Sequence, residues 1–211
     1  MATVIPTEPT GLMLYDVDWS AYETILAGLN DRAIRLTYDN GELEIMSPSD
    51  EHERIKTLVG RMIETMTEQL EIPIRSAGST TLKSQLKKKG LEPDECYYVL
   101  NEPLMRGRDK IDLQQDPPPD LAVEVDITSS SLDRMSIYAA LGIPEVWRYD
   151  GAAIRVQRLQ EDGHYREVEQ SLNFPGLLMS GFNDYLGQRN ESDETTWIRS
   201  FRAWVAHRQR S

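Results

Sequence analysis

Apolar and charged residues alternate most clearly in residues 118–127, PPDLAVEVDI. Successive side chains of a β-strand point to opposite faces, so this pattern predicts a strand with one aliphatic face and one acidic face. The aliphatic face carries Leu121, Val123, Val125 and Ile127, and the acidic face carries Asp120, Glu124 and Asp126. The acidic face needs an explanation, because carboxylates are rarely buried without partners.

The same kind of pattern predicts five helices and two hairpins around this strand. Asn40-Gly41 and Asp162-Gly163 are tight-turn signals within alternating segments, which predicts hairpins over 33–48 and 153–171. Helical periodicity and caps predict helices over 18–29, 50–71, 129–142, 176–187 and 193–208. Further strands are predicted over 72–84, 92–99 and 144–151, and a polar, proline-rich loop over 100–119. We expect a mixed α/β fold around one central sheet.

The amino-acid composition is typical of a folded, single-domain protein. With 211 residues, 39% of them hydrophobic and 27% charged, the chain fits one folded domain. The single cysteine, Cys96, excludes a disulfide within the chain and argues against a cysteine-built zinc site. We see no signal peptide and no run long enough to cross a membrane, so we expect a cytoplasmic protein without a membrane partner.

The net charge argues against one way of binding DNA. The formal net charge is −12, which does not support a broad basic surface that grips duplex DNA without specificity. Basic segments do occur at 83–90, at 106–110 and at the C-terminal end. Their simplest interpretation is that of solvated loops and a solvated tail.

The acidic face suggests a divalent cation. Crowded carboxylates raise one another's pKa unless a cation lies between them, and a few carboxylates with several waters suit Mg²⁺ or Mn²⁺. Asp94 begins the preceding strand, which could pair antiparallel with the acidic strand and bring Asp94 beside Glu124. Asp120 could instead simply start its strand after three prolines, and Asp126 could cap the next helix. Glu124, in mid-strand, is harder to explain without a partner.

Three segments resemble a family of restriction-endonuclease-like proteins in the PD-(D/E)XK nuclease superfamily. They are EPDECYYV, PDLAVEVDITSSSLDRMSIYAALGIPEVWRYDG and MSPSDEHERI with its preceding hairpin, and the resemblance spans about residues 10–180. It implies an α/β, restriction-endonuclease-like fold, with a central mixed sheet flanked by helices. It also implies a divalent ion, Mg²⁺ or Mn²⁺, held by Asp94 and Glu124. We interpret residues 1–211 as a single such domain, with 184–211 as a C-terminal helical extension.

The sequence departs from this family's pattern at the catalytic lysine. The superfamily places a lysine two residues after the acid, and that position is Asp126 here. In the resembling family the lysine has moved to the next helix, four residues before a tyrosine, and this position is Arg134 here. Arginine can stabilise or position a phosphate, but it cannot give up its proton in practice. Alternatively, Arg134 stacks on Tyr138 or pairs with a surface acid.

Other residues are weaker candidates for the site. His52 begins the apolar stripe of the helix over 50–71 and could point at the site, as the family pattern suggests, or be a hydrogen-bonded structural residue. Asp120 and Asp126 are possible outer ligands, and Glu44 and Glu53 are weaker still. Cys96 shares Asp94's face but is best interpreted as a packing residue.

Two functions follow from these observations. The first is a metal-dependent endonuclease that hydrolyses DNA phosphodiester bonds, with Asp94 and Glu124 as ligands and Arg134 as electrostatic helper. The second is a catalytically weak or inactive module of the same fold that binds nucleic acid or protein. The net charge and the arginine favour the second. In either case, the aromatic residues of the last helix could form a homodimer.

Overall fold

The computed structural model describes residues 11–29, 34–127 and 130–208. Residues 1–10, residue 33 of the first predicted hairpin, residue 129 of a predicted helix and the end of the basic C-terminal segment lie outside these ranges. The helices are α1 (Trp19–Leu29), α2 (Asp50–Gln69), α3 (Glu102–Met105), α4 (Arg134–Leu141), α5 (Met179–Gly187) and α6 (Glu194–Arg208). All five predicted helices are present, and α3 lies inside the predicted loop.

In the described residues the strands form two sheets where one was expected, and the predicted central mixed sheet is the second of them. The first sheet has the order β1-β3-β2-β6-β5, and the second has the order β11-β10-β9-β8-β7-β4. The first contains β1 (Gly11–Leu14), β2 (Arg35–Asp39), β3 (Glu42–Met46), β5 (Leu82–Ser84) and β6 (Lys89–Leu91). The second contains β4 (Arg75–Ser76), β7 (Glu95–Tyr98), β8 (Leu121–Val125), β9 (Glu145–Tyr149), β10 (Ile154–Leu159) and β11 (Tyr165–Val168). The pair β8–β9 is parallel and the other pairs are antiparallel, so the second sheet is the predicted mixed sheet.

Two strands of the additional sheet come from a segment that was predicted to be a solvated loop. Residues 83–90 are mostly the hairpin β5–β6, and β6 pairs with β2 of the first predicted hairpin. Leu82 and Leu91, which flank the lysines, are fully buried opposite each other. The segment between Leu82 and Leu91 is rich in lysine and shows no apolar alternation, so the sequence pattern did not reveal this buried pair.

The acidic strand, β8, has the two faces that its sequence predicts. Leu121, Val123 and Val125 join the core that also contains the apolar stripe of α2 and one face of α6. On the opposite face, Ala122 packs with Ile137 and Tyr138 of α4. The face that carries Glu124 is therefore covered at one end by α4, and the rest of this face lines a cavity described below.

The last helix belongs to the main core. Trp197, Ile198, Phe201 and Val205 of α6 are buried with residues of α2 and α5. Phe201 lies edge-on to Phe182, with ring centroids 5.5 Å apart. The aromatic face that could have formed a homodimer thus packs within its own chain. In the part of the chain that is described, no helix has the length and apolar character needed to cross a membrane.

Truncating Phe201 should destabilise the protein strongly. We expect Phe201→Ala to lower the free energy of unfolding by about 3–5 kcal/mol, because a fully buried aromatic ring leaves a cavity. Chemical denaturation followed by tryptophan fluorescence measures the change. Arg202→Ala, at an exposed neighbouring position, is the control and should stay within about 0.5 kcal/mol of the parent. An unchanged midpoint for Phe201→Ala would show that α6 does not contribute to the core.

Candidate active site

The register of the second sheet brings the two predicted metal ligands together. In the antiparallel pair β7–β8, Glu95 lies opposite Val123. Asp94 directly precedes β7, and its N–H donates to the Val123 carbonyl at 3.1 Å, next to Glu124 on β8. Asp94 and Glu124 both line the same cavity.

Asp94 is fully buried and its carboxylate has three partners. Its Oδ2 accepts a hydrogen bond from the Val125 N–H at 2.5 Å and lies 3.2 Å from the His52 Nε2. Its Oδ1 forms an ion pair with Arg35, and Arg35 also donates to Glu53 at 2.8 Å. A buried carboxylate is costly without such partners, so these contacts explain how Asp94 is tolerated inside the domain.

Glu124 also has three partners, and two of them come from Arg134. The Arg134 Nε lies 2.5 Å from Glu124 Oε1, and its Nη2 donates to Oε2 at 3.0 Å. The Tyr138 hydroxyl donates to the same Oε2 at 2.6 Å. Arg134 donates further to Thr37 Oγ1 at 2.6 Å and to the Glu92 carbonyl at 2.8 Å. Arg134 thus pairs with the buried acid of the site, not with a surface acid.

A cavity of about 510 Å³ contains these groups. Its wall includes Asp94, Glu124, Arg35, Arg134 and His52. Residues of both sheets and of α2 and α4 line it, so the cavity lies where the two sheets meet. It is large enough for a phosphate and several waters, and within it the two acids Asp94 and Glu124 each pair with an arginine.

Burial and charge set the protonation of the cavity. Burial lowers the pKa of His52, and the nearby Arg35 lowers it further, so this imidazole favours the neutral form. Burial alone would lower the pKa of Arg134, but the Glu124 carboxylate and Tyr138 together outweigh burial and raise the pKa above its usual value. Burial, followed by the charge of Glu124, raises the pKa of Tyr138. Arg134 therefore stays a cation and Tyr138 stays a hydrogen-bond donor.

The weaker candidates fall in different places. Asp126 lines the cavity and forms an ion pair with Arg148. Asp120 is buried but does not line the cavity, because its carboxylate accepts from the backbone N–H groups of Val99 and Asn101, both at 2.8 Å, and from the Asn101 side chain. Asp120 therefore serves the turn after β7.

Two further candidates have structural partners. Glu44 accepts from the Ser130 hydroxyl at 2.5 Å and the Ser131 N–H at 2.6 Å. Cys96 is buried, and its thiol donates to the Gly78 carbonyl at 3.3 Å, outside the cavity wall. Burial raises the pKa of this thiol to about 12, so it stays protonated, in line with the packing role predicted for it.

Comparison with known proteins decides the family. A sequence model of the Uma2 family, described as "Putative restriction endonuclease", matches residues 19–183. The chain belongs to the Uma2 family. A search of curated proteins gave no match.

A solved structure supports the fold. It is a putative nuclease belonging to DUF820 from Anabaena variabilis ATCC 29413, with a TM-score of 0.50 and 14% sequence identity. The match covers 72% of this chain and 90% of that chain. The likeness confirms the restriction-endonuclease-like fold, and Uma2 membership supports a nuclease-like function.

Restriction-endonuclease-like families generally use divalent metals. The carboxylates of Asp94 and Glu124 offer the oxygen donors that such an ion binds. Two carboxylate oxygens offer about four lone-pair sites. The contacts above use three on Asp94 and three on Glu124, so about one remains on each. Mg²⁺ binds through one or two carboxylates and keeps several waters. No group of three or more His, Cys, Asp or Glu side chains suited to a metal occurs among the described residues, so water would supply the remaining ligands.

Arg35 is the site residue that the sequence analysis missed. It lies on β2, in a predicted hairpin of the other sheet, and it contacts Asp94 across the junction of the two sheets. A charged residue that is only 13% exposed is a signal of a buried partner, but exposure is not visible in the sequence. Arg148, which lines the cavity from β9, was also missed, because its register with Glu124 is not visible in the sequence.

Proposed function

We propose that this Uma2 protein is a metal-dependent endonuclease that hydrolyses phosphodiester bonds of DNA. One observation carries the proposal: Asp94 and Glu124 line one cavity that also holds the Arg134 guanidinium. Oxygen ligands of this kind suit Mg²⁺ or Mn²⁺. The family description supports the reaction class, and the cavity supports the placement of the chemistry.

The residues of the cavity would have different roles in this reaction. Asp94 and Glu124 would hold the divalent ion, which when bound lowers the pKa of a water and so supplies a hydroxide. Arg134 lies next to Glu124 and presents a permanent positive charge that can orient the phosphate and stabilise charge as it develops. Arg134 cannot accept the proton of that water. Thr37 and the Glu92 carbonyl keep the Arg134 guanidinium in place.

Metal binding tests the ligand pair directly. The parent protein should bind Mn²⁺ in isothermal titration calorimetry, and Asp94→Asn combined with Glu124→Gln should abolish the binding, because both carboxylates lose their charge. Asp162→Asn combined with Glu167→Gln, at two exposed acids of the β10–β11 hairpin, is a charge-matched control. Undiminished Mn²⁺ binding by the cavity variant would rule out this site.

One specific observation favours the second function, a nuclease-fold module that binds nucleic acid or protein without cleaving it. Each candidate ligand already forms an ion pair with an arginine, Arg35 or Arg134, and these charges oppose an incoming cation. Plasmid nicking with Mg²⁺ or Mn²⁺ separates the two functions. Nicking by the parent that is lost in Glu124→Gln supports the endonuclease, whereas absence of nicking despite Mn²⁺ binding supports the module.

The oligomeric state and the location in the cell stay predictions. The homodimer was expected from the aromatic face of α6, which packs inside the domain, so any dimer must use another surface. Sedimentation velocity would measure the oligomeric state directly. The cytoplasmic location rests on the sequence alone.

A further inference from the structure

A row of charged residues crosses the second sheet on the cavity side. Asp94, just before β7, shares the cavity with Glu124 on β8, Glu124 is in register with Arg148 on β9, and Arg148 lies opposite Arg155 on β10. Neighbouring strands are about 4.7–4.9 Å apart, so Arg155 lies about two strand spacings from Glu124. The row thus runs from the two acids to the pair Arg148–Arg155, which we call the arginine pair.

The arginine pair is exposed to solvent, whereas the other residues of β9 and β10 are buried or partly buried. The Arg148 side chain is 46% exposed and the Arg155 side chain is 52% exposed. Arg148 is the one exposed residue of β9, and Arg155 is the one exposed residue of β10. The two like charges lie directly opposite each other, an arrangement that costs stability unless anions neutralise them.

The present neutralising partners are surface acids that an incoming anion can replace. Arg148 pairs with Asp126, and Arg155 pairs with Asp150 at 2.7 Å and with Glu167 at 3.1 Å. Exposed ion pairs of this kind contribute little, about 0–1 kcal/mol each. A phosphate accepts two parallel hydrogen bonds from one guanidinium and so competes well for arginine.

We propose that the arginine pair binds backbone phosphates of DNA next to the cleavage site. The proposal rests on the proposed function and adds the path of the substrate: the strand runs across the sheet, from the acid pair over Arg148 to Arg155. It also explains how a chain with a net charge of −12 could hold a polyanion, since the contacts are local and lie beside the site. Arg148 reaches the cavity wall itself, which joins the two regions.

The salt dependence of DNA binding tests the arginine pair. Fluorescence anisotropy with a labelled duplex, in EDTA to prevent cleavage, gives the binding constant over a series of salt concentrations. Each phosphate contact contributes about 0.9 to the slope of log K against log salt. Arg148→Gln combined with Arg155→Gln should therefore reduce the slope by about 1.8 and weaken binding about tenfold to a hundredfold near ~0.1 M salt.

Two matched variants make the result specific. Arg148→Lys combined with Arg155→Lys keeps both charges and should keep most of the slope. Arg166→Gln combined with Arg202→Gln removes two exposed, ion-paired arginines elsewhere, Arg166 from the other face of the same sheet, and should leave the slope unchanged. Thermal melting of each variant checks that it is folded.

The outcomes separate the two proposals. A parent slope retained by the Arg148→Gln, Arg155→Gln variant overturns the arginine pair and leaves the proposed function standing. An equal loss in the Arg166→Gln, Arg202→Gln control also overturns it, because the effect would then be one of net charge. A parent that binds no DNA in EDTA overturns the arginine pair, whereas plasmid nicking with Mg²⁺ or Mn²⁺ decides the proposed function.

Discussion

Glu124→Ala should lower the free energy of unfolding by about 3–5 kcal/mol, whatever its effect on activity. The substitution removes the ion-pair partner of Arg134, whose side chain is only 12% exposed, and leaves a cation in the interior without its counter-charge. It also leaves the buried Tyr138 hydroxyl without its acceptor. Urea denaturation, followed by circular dichroism, measures the loss.

A double-mutant cycle separates the ion pair from simple loss of packing. Glu124→Ala combined with Arg134→Met removes both charges and should recover a large part of the stability that Glu124→Ala loses. Glu124→Gln keeps the shape and one acceptor, so it should be milder than Glu124→Ala. If the double variant is as unstable as the sum of its two single variants, the pair contributes no coupling and the interpretation of this contact is wrong.

Arg134→Lys should increase DNA nicking by about 10²–10⁴-fold, with a gain that grows as pH rises. Arg134 occupies the position at which the resembling family has its displaced lysine. Unlike arginine, a lysine amine can lose its proton at accessible pH, and the neutral form can help to take a proton from water. Arginine stays charged over the whole range. The parent should therefore be a slow enzyme that this single change accelerates.

The contacts of Arg134 indicate that this substitution also lowers the stability of the protein. A lysine has a single charged nitrogen, so it cannot contact Glu124, Thr37 and the Glu92 carbonyl as the guanidinium does. We expect a lower unfolding midpoint together with the higher rate. The rate is measured as plasmid nicking with Mn²⁺ from pH 6 to 9, with Glu124→Gln as the blank and Arg166→Lys as a matched surface control. A variant no faster than the parent at any pH would favour the non-cleaving module.

Local signals in the sequence were enough for most elements but not for the number of sheets. Asn40 and Gly41 both have positive φ, 49° and 102°, so the predicted tight turn forms at that dipeptide. The apolar stripe of α2 is buried along its length, as its periodicity predicted. In contrast, β6 pairs with β2 through contacts between residues about fifty positions apart, and no local pattern encodes such a partner.

The same distinction holds for the candidate site. Alternation in β8 was sufficient to place Glu124 on the polar face, and the register with β7 brought Asp94 to it. Asp120 has the same parity in the strand, yet its carboxylate binds the turn at Val99 because the neighbouring loop folds back over it. Arg35 reaches Asp94 from the other sheet. The sequence predicts which face of a strand a residue occupies. Only the assembled fold shows which residues contact each other across the junction of the two sheets.

The two arginines that pair with Asp94 and Glu124 affect whether the protein can fold without a metal. Two bare carboxylates in one cavity would repel each other until a metal arrived, and folding would then depend on the supply of that metal. Arg35 and Arg134 each neutralise one of these carboxylates in the metal-free form. Under the proposed function, the chain would fold first and acquire its ion later, so a chelator should abolish activity without unfolding the protein.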